Sequence, residues 1–420
     1  MSANSRILYI HHGGCLGGAV CSLAYLIEGL DRQRYEPVVA CIYPSPEVLT
    51  SYRQAGAEAF FVAGIREFGH TTGGWYPLYS PLGLWNLITR LFSFYPSVIR
   101  TEKMVRDLKP SVVHLNSLVL APSAIGAKKA GVPIVWHIRE SVVDGHFGVR
   151  KWLLGRLVEW CADEVIFISS DNRLRLVGDR KVGTLIPCFV DFRRFDHTLD
   201  GTAVRDELGL SREAKVVLFL GGRGVIKGVF PLLEALPEVK KQVPDMHCII
   251  AGGQYVASGR LTSRIARRVL PLVGWGTVAQ RVDKLMDREA MHDYVHMLPW
   301  REDVERLIAA SDVLVFPSTE PHFSRPVVEA GAMAKPVVAS RIGGVEELVE
   351  ENETGILVEP GDARELAQAL TKTLCSQDAS AMMGQLALQR ARKSHDAATA
   401  VRITSRIYDD LIHGHNGDRE

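Results

Sequence analysis

The chain has 420 residues, of which 47% are hydrophobic and 23% are charged, and its mean hydropathy is +0.05. At roughly 150 residues per domain this length predicts two or three domains, which excludes a single small binding module, and the composition excludes a disordered chain. Lysine and arginine (49) nearly balance aspartate and glutamate (48). Because nucleic-acid binding requires a basic domain or stripe, no nucleic-acid partner is expected.

Cysteine usage and the lack of targeting signals indicate a reduced compartment. The seven cysteines form no CxxC pair and no metal-ligand cluster, which argues against a zinc site or a disulfide framework. The start, MSANSRILYIHHGG, lacks the features of a signal peptide, and no apolar run approaches the ~20 residues that span a bilayer. We expect a cytoplasmic protein, with peripheral contact to the cytoplasmic face of a membrane as an open alternative.

Short apolar runs alternate with longer amphipathic stretches, which is typical of parallel strands covered by helices. The first series comprises residues 6–11, 36–42, 58–63, 111–115, 133–138 and 163–169. The second series comprises residues 215–222, 247–253, 295–298, 312–318, 335–340 and 355–360. The sequence therefore predicts an α/β protein with two Rossmann-like, doubly wound parallel-sheet domains that face each other across a cleft.

The alternation lapses around residues 186–215, which are rich in proline, aspartate, arginine and glycine. The predicted boundaries are a first domain over 1–190, a linker over 191–214 and a second domain over 215–395. Because open parallel sheets bind ligands beyond the carboxyl ends of their strands, the loops that follow the strands are the candidate sites.

A glycine-rich turn follows the first strand, where Gly17 and Gly18 precede an amphipathic helix. Glycine lets a backbone approach a ligand closely, and a helix N-terminus offers N–H groups to a phosphate. The spacing does not read GxGxxG, and VVACIYPS places no acidic residue at the end of the second strand. This disfavours a dinucleotide dehydrogenase, whereas phosphate binding and a tight structural turn stay open.

At the corresponding position of the second domain, KVVLFLGG is followed by Arg223 and Lys227 in GGRGVIKG. Two cations beside a glycine-rich turn can converge on a diphosphate, arginine through its planar fork and lysine as a point charge. Solvated surface charges are the alternative, but the loop position and the glycines favour a diphosphate site.

The segment 316–349 follows the strand DVLVFPS, and Pro326 is expected to open a helix with Glu329 in its first turn. A carboxylate there can accept hydrogen bonds from vicinal hydroxyls such as those of a ribose, although it also favours the helix dipole. The N–H groups of Phe323, Ser324 and Arg325 would point at whatever occupies the cleft.

Several segments together carry a family resemblance. They are the turn 17–19, SVVHLNS (111–117), the loop after PIVWHI (133–138), VDFRRF (190–195), the pair Arg223 and Lys227, ASDVLVFPS (310–318), RPVVEAGAMAKPVVAS (325–340), GGVEELV (343–349) and GILVEPGD (355–362). Over nearly its whole length the chain resembles a GT-B glycosyltransferase of the retaining family 4 type (glycosyl transferases group 1). The resemblance implies that the first domain binds the acceptor, that the second binds a nucleotide-sugar donor, and that residues 396–420 pack back on the first domain.

The resemblance also implies roles for particular residues. Gly17 and Gly18 would lie against the donor diphosphate and sugar. Arg223 and Lys227 would hold the diphosphate, and Glu329 would bind the ribose hydroxyls. His137, after the fifth strand, would face the transferred sugar, although on its own a histidine that ends an apolar strand is more simply a core residue.

One position departs from the family pattern, which usually has a glutamate eight residues before the ribose-binding one. Here that position is Pro321. Three alternatives stay open: Glu320 reaches in from one position earlier, His322 acts in its place, or the sugar is held differently. Ser324, where the family turn has glycine, also narrows the freedom of the backbone.

The reaction that the resemblance implies is transfer of a sugar from a nucleoside diphosphate to an acceptor hydroxyl with retention of configuration. Arg223 and Lys227 would stabilise the departing diphosphate, so no cofactor and no metal are expected. A nucleotide-sugar 2-epimerase and a non-catalytic nucleotide-sugar binder are the alternatives, because fold alone does not fix function.

The acceptor would be a glycan, a glycolipid or a lipid-linked saccharide. Residues 64–80 and 80–108 are the most individual parts of the first domain, and their aromatic side chains could stack on sugars or lie at a lipid interface. Those aromatic residues are Trp75, Tyr76, Trp85, Phe92, Phe94 and Tyr95. The basic stretches 147–160 and 258–276 could rest on an anionic membrane or be ordinary amphipathic helices.

Overall fold

The computed structural model describes residues 4–69, 81–142, 148–180, 182–252, 277–321 and 324–417. The chain divides into two compact units, Met1–Asp191 with His395–Glu420, and Phe192–Ser394. The segment predicted as a linker, 191–214, therefore belongs to the second unit except for its first residue. Part of it is helical, because α7 spans Thr202–Glu207.

The first unit is built on a seven-stranded parallel sheet within the described residues, in the order β3-β2-β1-β4-β5-β6-β7. Its strands are β1 (Ser5–His11), β2 (Tyr35–Cys41), β3 (Glu58–Phe61), β4 (Val112–Leu115), β5 (Ile134–Ile138), β6 (Glu164–Phe167) and β7 (Thr184–Leu185). β1 pairs with β2 on one side and with β4 on the other, so the direction of chain progression reverses there. This reversal is the topological switch point at which such sheets bind ligands.

Helices cover both faces of this sheet. They are α1 (Gly18–Glu28), α2 (Pro46–Gln54), α3 (Pro81–Leu108), α4 (Ala121–Ala130), α5 (Val149–Cys161), α6 (Ser170–Val177) and the C-terminal α14 (Ala397–Gly417). α3 accounts for most of the aromatic region 80–108, and it is the crossover between β3 and β4. Its side chains Val98 and Val105 are buried, so this region contributes to the core as well as to the surface.

The C-terminal helix packs on the first sheet through polar as well as apolar contacts. The Tyr408 hydroxyl lies 2.7 Å from His114 Nδ1 and 3.1 Å from the Tyr9 hydroxyl. The Tyr35 hydroxyl donates to the Asp409 carboxylate at 2.5 Å. Because buried hydroxyls need partners, these bonds fix the position of α14 on the sheet.

The second unit holds a six-stranded parallel sheet within the described residues, in the order β10-β9-β8-β11-β12-β13. Its strands are β8 (Lys215–Phe219), β9 (Met246–Ala251), β10 (Val295–Leu298), β11 (Val313–Phe316), β12 (Val337–Ser340) and β13 (Gly355–Val358). Besides α7, its helices are α8 (Val229–Gln242), α9 (Val278–Arg288), α10 (Val304–Ala310), α11 (Arg325–Ala332), α12 (Ala363–Cys375) and α13 (Gln377–Ser394). The switch point of this sheet lies between β8 and β11.

The local sequence explains where several helices begin. Ser45 and Ser169 cap α2 and α6 by accepting backbone N–H groups of the first turn. Thr277 and Gln280 form a reciprocal capping box at the start of α9, and Asp362 accepts two N–H groups of α12. These side chains satisfy donors that the helices cannot satisfy themselves.

The prediction of two Rossmann-like parallel-sheet domains is confirmed. Among the described residues, no helix is both long enough and apolar enough to cross a lipid bilayer.

Candidate active site

The predicted donor-site residues of the second unit come from the two loops at its switch point. Arg223 and Lys227 follow β8, Glu320 follows β11, and Ser324 and Arg325 lie at the start of α11. Glu329 is the fifth residue of α11 and lies in its second turn, so the prediction that it lies in the first turn is wrong. β8 and β11 are neighbours in the sheet, with Leu218 opposite Leu314. Two segments that are distant in sequence, 223–227 and 320–329, therefore lie at one edge of one sheet. Phe323, and with it the candidate His322, lies outside the described residues.

Hydrogen bonds join these two loops directly. The carbonyl oxygen of Ile226 accepts from the Ser318 hydroxyl at 2.7 Å and from the Thr319 N–H at 3.0 Å. The Ser318 hydroxyl also lies 3.0 Å from the Glu320 carbonyl oxygen. The turn that carries Lys227 and the segment that carries Glu320 are therefore held together by Ser318, which is fully buried.

Gly228 makes this close approach sterically feasible. Its φ is +89°, and a Cβ atom at this position would lie 1.7 Å from the carbonyl oxygen of Pro317. Left-handed backbone with no room for a side chain is compatible with glycine alone. The junction between the two loops therefore requires glycine at position 228, the last residue of GVIKG.

Arg223 is held in a fixed orientation by the protein itself. Its Nη1 donates to the Ala279 carbonyl oxygen at 2.9 Å, and its Nη2 forms an ion pair of 2.8 Å with Asp283. Both partners lie on α9, and the Arg223 side chain is mostly buried whereas Asp283 is half exposed. An arginine that is oriented before a ligand arrives loses less side-chain entropy on binding an anion.

Glu329 forms a buried ion pair within α11. Its Oε1 accepts from Arg325 Nε at 2.5 Å, and both side chains are less than a tenth exposed. The sequence predicts that the backbone N–H of Arg325 points into the donor site. In the structure the Arg325 side chain also takes part, because its guanidinium donates to Glu329. The pair fixes the orientation of the carboxylate at the switch point.

In the first unit, Gly17 and Gly18 lie where the sequence predicts, at the start of α1. Gly17 is the N-cap residue with extended backbone, and nothing lies within 4 Å of where its Cβ would be. The Asn116 side-chain amide, just after β4, lies 3.4 Å from the Ala19 carbonyl oxygen. The N-terminus of α1 therefore lies beside the switch point of the first sheet, and its first N–H groups have no acceptor within the helix.

His137 lies within β5, one residue before its end, and not after the strand as the sequence predicted. It is buried next to a network that the sequence analysis did not single out. Arg139 Nε donates to Asn116 Oδ1 at 2.7 Å, and Arg139 Nη2 lies 3.5 Å from His137 Nδ1. Asn116 Nδ2 lies 3.1 Å from His11 Nδ1. Because a guanidinium can only donate, Nδ1 of His137 accepts and its proton lies on Nε2. That Nε2 has no hydrogen-bond partner among the described residues.

Three histidines at this edge, His11, His114 and His137, are held neutral. Burial is the main reason why the pKa of each imidazole is lowered, and the positive charge of Arg139 lowers it further. The pKa of His114 falls to about 3, and the pKa values of His11 and His137 fall far below the ordinary value. His137 can therefore offer a neutral N–H donor to a ligand at neutral pH, but not a positive charge.

The same shifts predict an acid-sensitive first unit. Below the unfolded-state pKa of about 6.5 the unfolded chain binds protons that the folded chain excludes, so the free energy of unfolding falls as pH falls toward the folded pKa. Each histidine contributes about 1.4 kcal/mol per pH unit in that range. We expect His114→Gln to flatten the slope of stability between pH 6.5 and 5 by that amount in urea unfolding, and an unchanged slope would contradict the assignment.

The sequence did carry a signal for the network around Arg139. Asn116 and Arg139 stand directly after the buried strands β4 and β5, and β4 borders the switch point. In such sheets ligands bind beyond the carboxyl ends of the strands. No comparable signal indicated Asp283, because its pairing with Arg223 depends on how α9 packs. Among the described residues, no group of three histidine, cysteine, aspartate or glutamate side chains is arranged to hold a metal ion.

Two family models and one relative over most of its length identify the family of this chain. The family model for glycosyl transferases group 1 matches residues 201–390, and the model for the glycosyl transferase 4-like domain matches residues 17–183. D-inositol 3-phosphate glycosyltransferase 2 of Catenulispora acidiphila is 30% identical over 367 residues, which cover 81% of each chain. The chain belongs to the group 1 glycosyl transferases.

Other members of the group match over less of their length. D-inositol 3-phosphate glycosyltransferase of Corynebacterium glutamicum is 31% identical over 218 residues, which cover 51% of this chain and 48% of that protein. This group 1 chain thus spans about half the length of several curated relatives that it matches. The family resemblance found in the sequence is confirmed by the longer match.

Solved structures support the GT-B fold. Anabaena HepE, solved in complex with UDP and glucose, has a TM-score of 0.77 at 22% identity and covers 97% of this chain and 100% of its own. A UDP-N-acetylglucosamine 2-epimerase has a TM-score of 0.61 at 13% identity and covers 100% and 98%. Because this group 1 chain and an epimerase share the fold, the fold does not choose between a transferase and an epimerase activity.

Proposed function

We propose that this protein is a glycosyltransferase that moves a sugar from a nucleoside-diphosphate sugar to an acceptor hydroxyl, with retention of configuration and without a metal. The observation that carries the proposal is the junction of the loops after β8 and β11. It brings Arg223, Lys227 and Glu329 to the switch point of the second sheet in a chain of the group 1 family.

Stabilising the departing diphosphate is the main chemical task of such a transfer. The transition state resembles an oxocarbenium ion, and negative charge builds on the leaving phosphate oxygens. Preoriented cations and helix N-termini stabilise such charge without reorganising during the reaction. Arg223, fixed by Asp283, and Lys227 supply the cations, and the start of α11 at Ser324 supplies N–H groups.

Each remaining donor-site residue has a proposed role. Glu329 accepts hydrogen bonds from the ribose hydroxyls, and Glu320 contacts the donor sugar. In the first unit, Gly17 and Gly18 lie against the diphosphate and sugar. His137 donates a neutral N–H to a hydroxyl of the transferred sugar, because its lowered pKa rules out a charged imidazolium.

Uridine nucleotides are the first donors to test, because HepE has been solved with UDP and glucose. D-inositol 3-phosphate is the first acceptor to test, since it appears in the names of the curated relatives. A lipid-linked saccharide is the second, because the proposed acceptor class includes glycans and lipid-linked sugars. We propose a cytoplasmic location.

Acceptor dependence separates this proposal from a 2-epimerase. The experiment incubates the protein with UDP-glucose or UDP-N-acetylglucosamine, with and without each acceptor, and measures UDP release and sugar configuration by NMR. We expect UDP release that requires an acceptor, and a product that keeps the anomeric configuration of the donor. Epimerised sugar without an acceptor would support the epimerase, and an inverted product would contradict retention.

A further inference from the structure

The outer face of α3 exposes large apolar side chains over about four turns. Trp85 is 63% exposed, Phe92 80%, Tyr95 61% and Ile99 49%. These positions recur at intervals of three, four and seven residues and therefore share one face of the helix. The opposite face carries Val98, Thr101 and Val105, which are buried against the sheet side of the helix.

A second apolar face on α5 points in the same direction. Its inner side chains Leu154 and Val158 belong to the same core cluster as Val105 of α3 and Ala124 of α4. The helices α3, α4 and α5 therefore cover one face of the first sheet, and their outer sides face away from it together. The exposed apolar residues on the outer side of α5 are Trp152 (61%), Leu153 (47%) and Trp160 (57%).

The charges of this surface are predominantly basic. Residues 81–101 of α3 contain Arg90 and Arg100 and no acidic residue. α4, which lies between the other two helices, contains no acidic residue and ends in Lys128 and Lys129, both exposed. The Lys129 ammonium lies 5.4 Å from the centre of the Tyr95 ring, so the aromatic and basic groups are interleaved.

The acidic residues nearby are largely paired with cations, and one of them, Asp163, lies 4.0 Å from the Lys128 ammonium itself. Glu102 of α3 accepts from Arg106 at 2.7 Å, and Glu159 of α5 pairs with Arg156 and Arg180. A surface that combines exposed tryptophan and phenylalanine with lysine and arginine matches the interface of a bilayer, where aromatic rings enter the headgroup region and cations meet anionic lipids.

We propose that the outer faces of α3 and α5, with Lys128 and Lys129 between them, form a surface that binds an anionic lipid bilayer. Such a patch exposed to water needs a partner, because contiguous apolar surface of this kind marks interaction sites. The basic residues select a bilayer over a second copy of this chain, whose matching surface would place like charges against each other. This binding goes beyond the proposed transfer reaction and does not depend on it.

The test is cosedimentation of the full chain with phosphatidylcholine vesicles that contain or lack phosphatidylglycerol. We expect sedimentation with anionic vesicles, weaker in raised salt, and little with neutral ones. The variant Lys128→Gln with Lys129→Gln is expected to weaken binding by about twenty-five-fold, since each lysine near such a surface contributes about fivefold. Phe92→Ser with Trp152→Ser should weaken binding by at least about tenfold.

A matched control is Met382→Ser, which removes a 67% exposed apolar side chain from the second unit and should sediment like the wild type. Melting curves and UDP binding of each variant separate lost membrane binding from misfolding and from failure of the donor proposal. No sedimentation with anionic vesicles, or equal sedimentation of wild type and Phe92→Ser/Trp152→Ser, would overturn the proposal. The proposal would also be overturned if the wild type did not bind vesicles but formed a dimer, and if Phe92→Ser with Trp152→Ser dissociated that dimer.

Discussion

Gly228→Ala is expected to destabilise the second unit by more than about 3 kcal/mol and to abolish nucleotide binding. The left-handed backbone alone costs an alanine about 1–2 kcal/mol, and overlap with a packed neighbour adds a similar amount or more. The new Cβ would lie 1.7 Å from the Pro317 carbonyl oxygen. It must therefore push apart the loops that carry Lys227 and Glu320. Urea unfolding and the thermal shift with UDP measure the two effects.

Gly361→Ala is the matched control, because Gly361 has a φ of +84° and nothing within 4 Å of its Cβ position. It should lose only the backbone contribution of about 1–2 kcal/mol and keep nucleotide binding. If the two variants behave alike, the junction between the loops is not what holds the donor site together.

Glu329→Gln is expected to lower both stability and donor affinity. It leaves Arg325, which is 5% exposed, without its carboxylate partner. Removing one member of a buried ion pair costs about 3–5 kcal/mol. Loss of a charged acceptor for the ribose hydroxyls should weaken nucleotide binding by about tenfold to a hundredfold. Urea unfolding and calorimetric titration with UDP measure the two losses separately.

The double variant Arg325→Met with Glu329→Leu separates these effects. Replacing a whole buried pair by apolar side chains is often neutral for stability, so the fold should largely recover. Nucleotide binding should remain weak, because the acceptor for the ribose is still missing. A double variant that binds UDP as tightly as the wild type would contradict the role of Glu329.

The strands could be predicted from sequence because both faces of each one are apolar, as in KVVLFLGG and DVLVFPS. The glycine turns could be predicted because Gly17 and Gly228 lie where the chain leaves a strand for a helix. All but the first residue of the predicted linker 191–214 belong to the second unit. Sequence composition does not reveal the unit on which a short polar helix such as α7 packs.

The partners of the site residues could not be predicted. The ion pair of Arg223 with Asp283 joins residues 60 positions apart through the packing of α9 on the sheet. The neutral state of His137 depends on burial and on Arg139, which is held by Asn116 in the loop after β4. Both depend on tertiary contacts. The Arg325–Glu329 pair, by contrast, follows from i,i+4 spacing and could have been read from the helix pattern.

We propose that a nucleoside diphosphate binds at Arg223. The most direct test is a thermal-shift panel of UDP, GDP and ADP with their sugar derivatives on wild type, Arg223→Ala and Arg281→Ala. Arg281 is the control, because it is an exposed arginine of the same helix as Asp283 and stacks over Phe230 at 4.5 Å. A ligand at a hundred times its Kd stabilises the native state by about 2.7 kcal/mol.

We predict that one base series raises the melting temperature of wild type and Arg281→Ala, and that Arg223→Ala loses the shift. The side chain of Asp283 is 53% exposed, so water can solvate it and Arg223→Ala should still fold. No shift with any nucleotide in the wild type, or an equal shift in Arg223→Ala, would contradict a diphosphate site at the switch point of the second sheet.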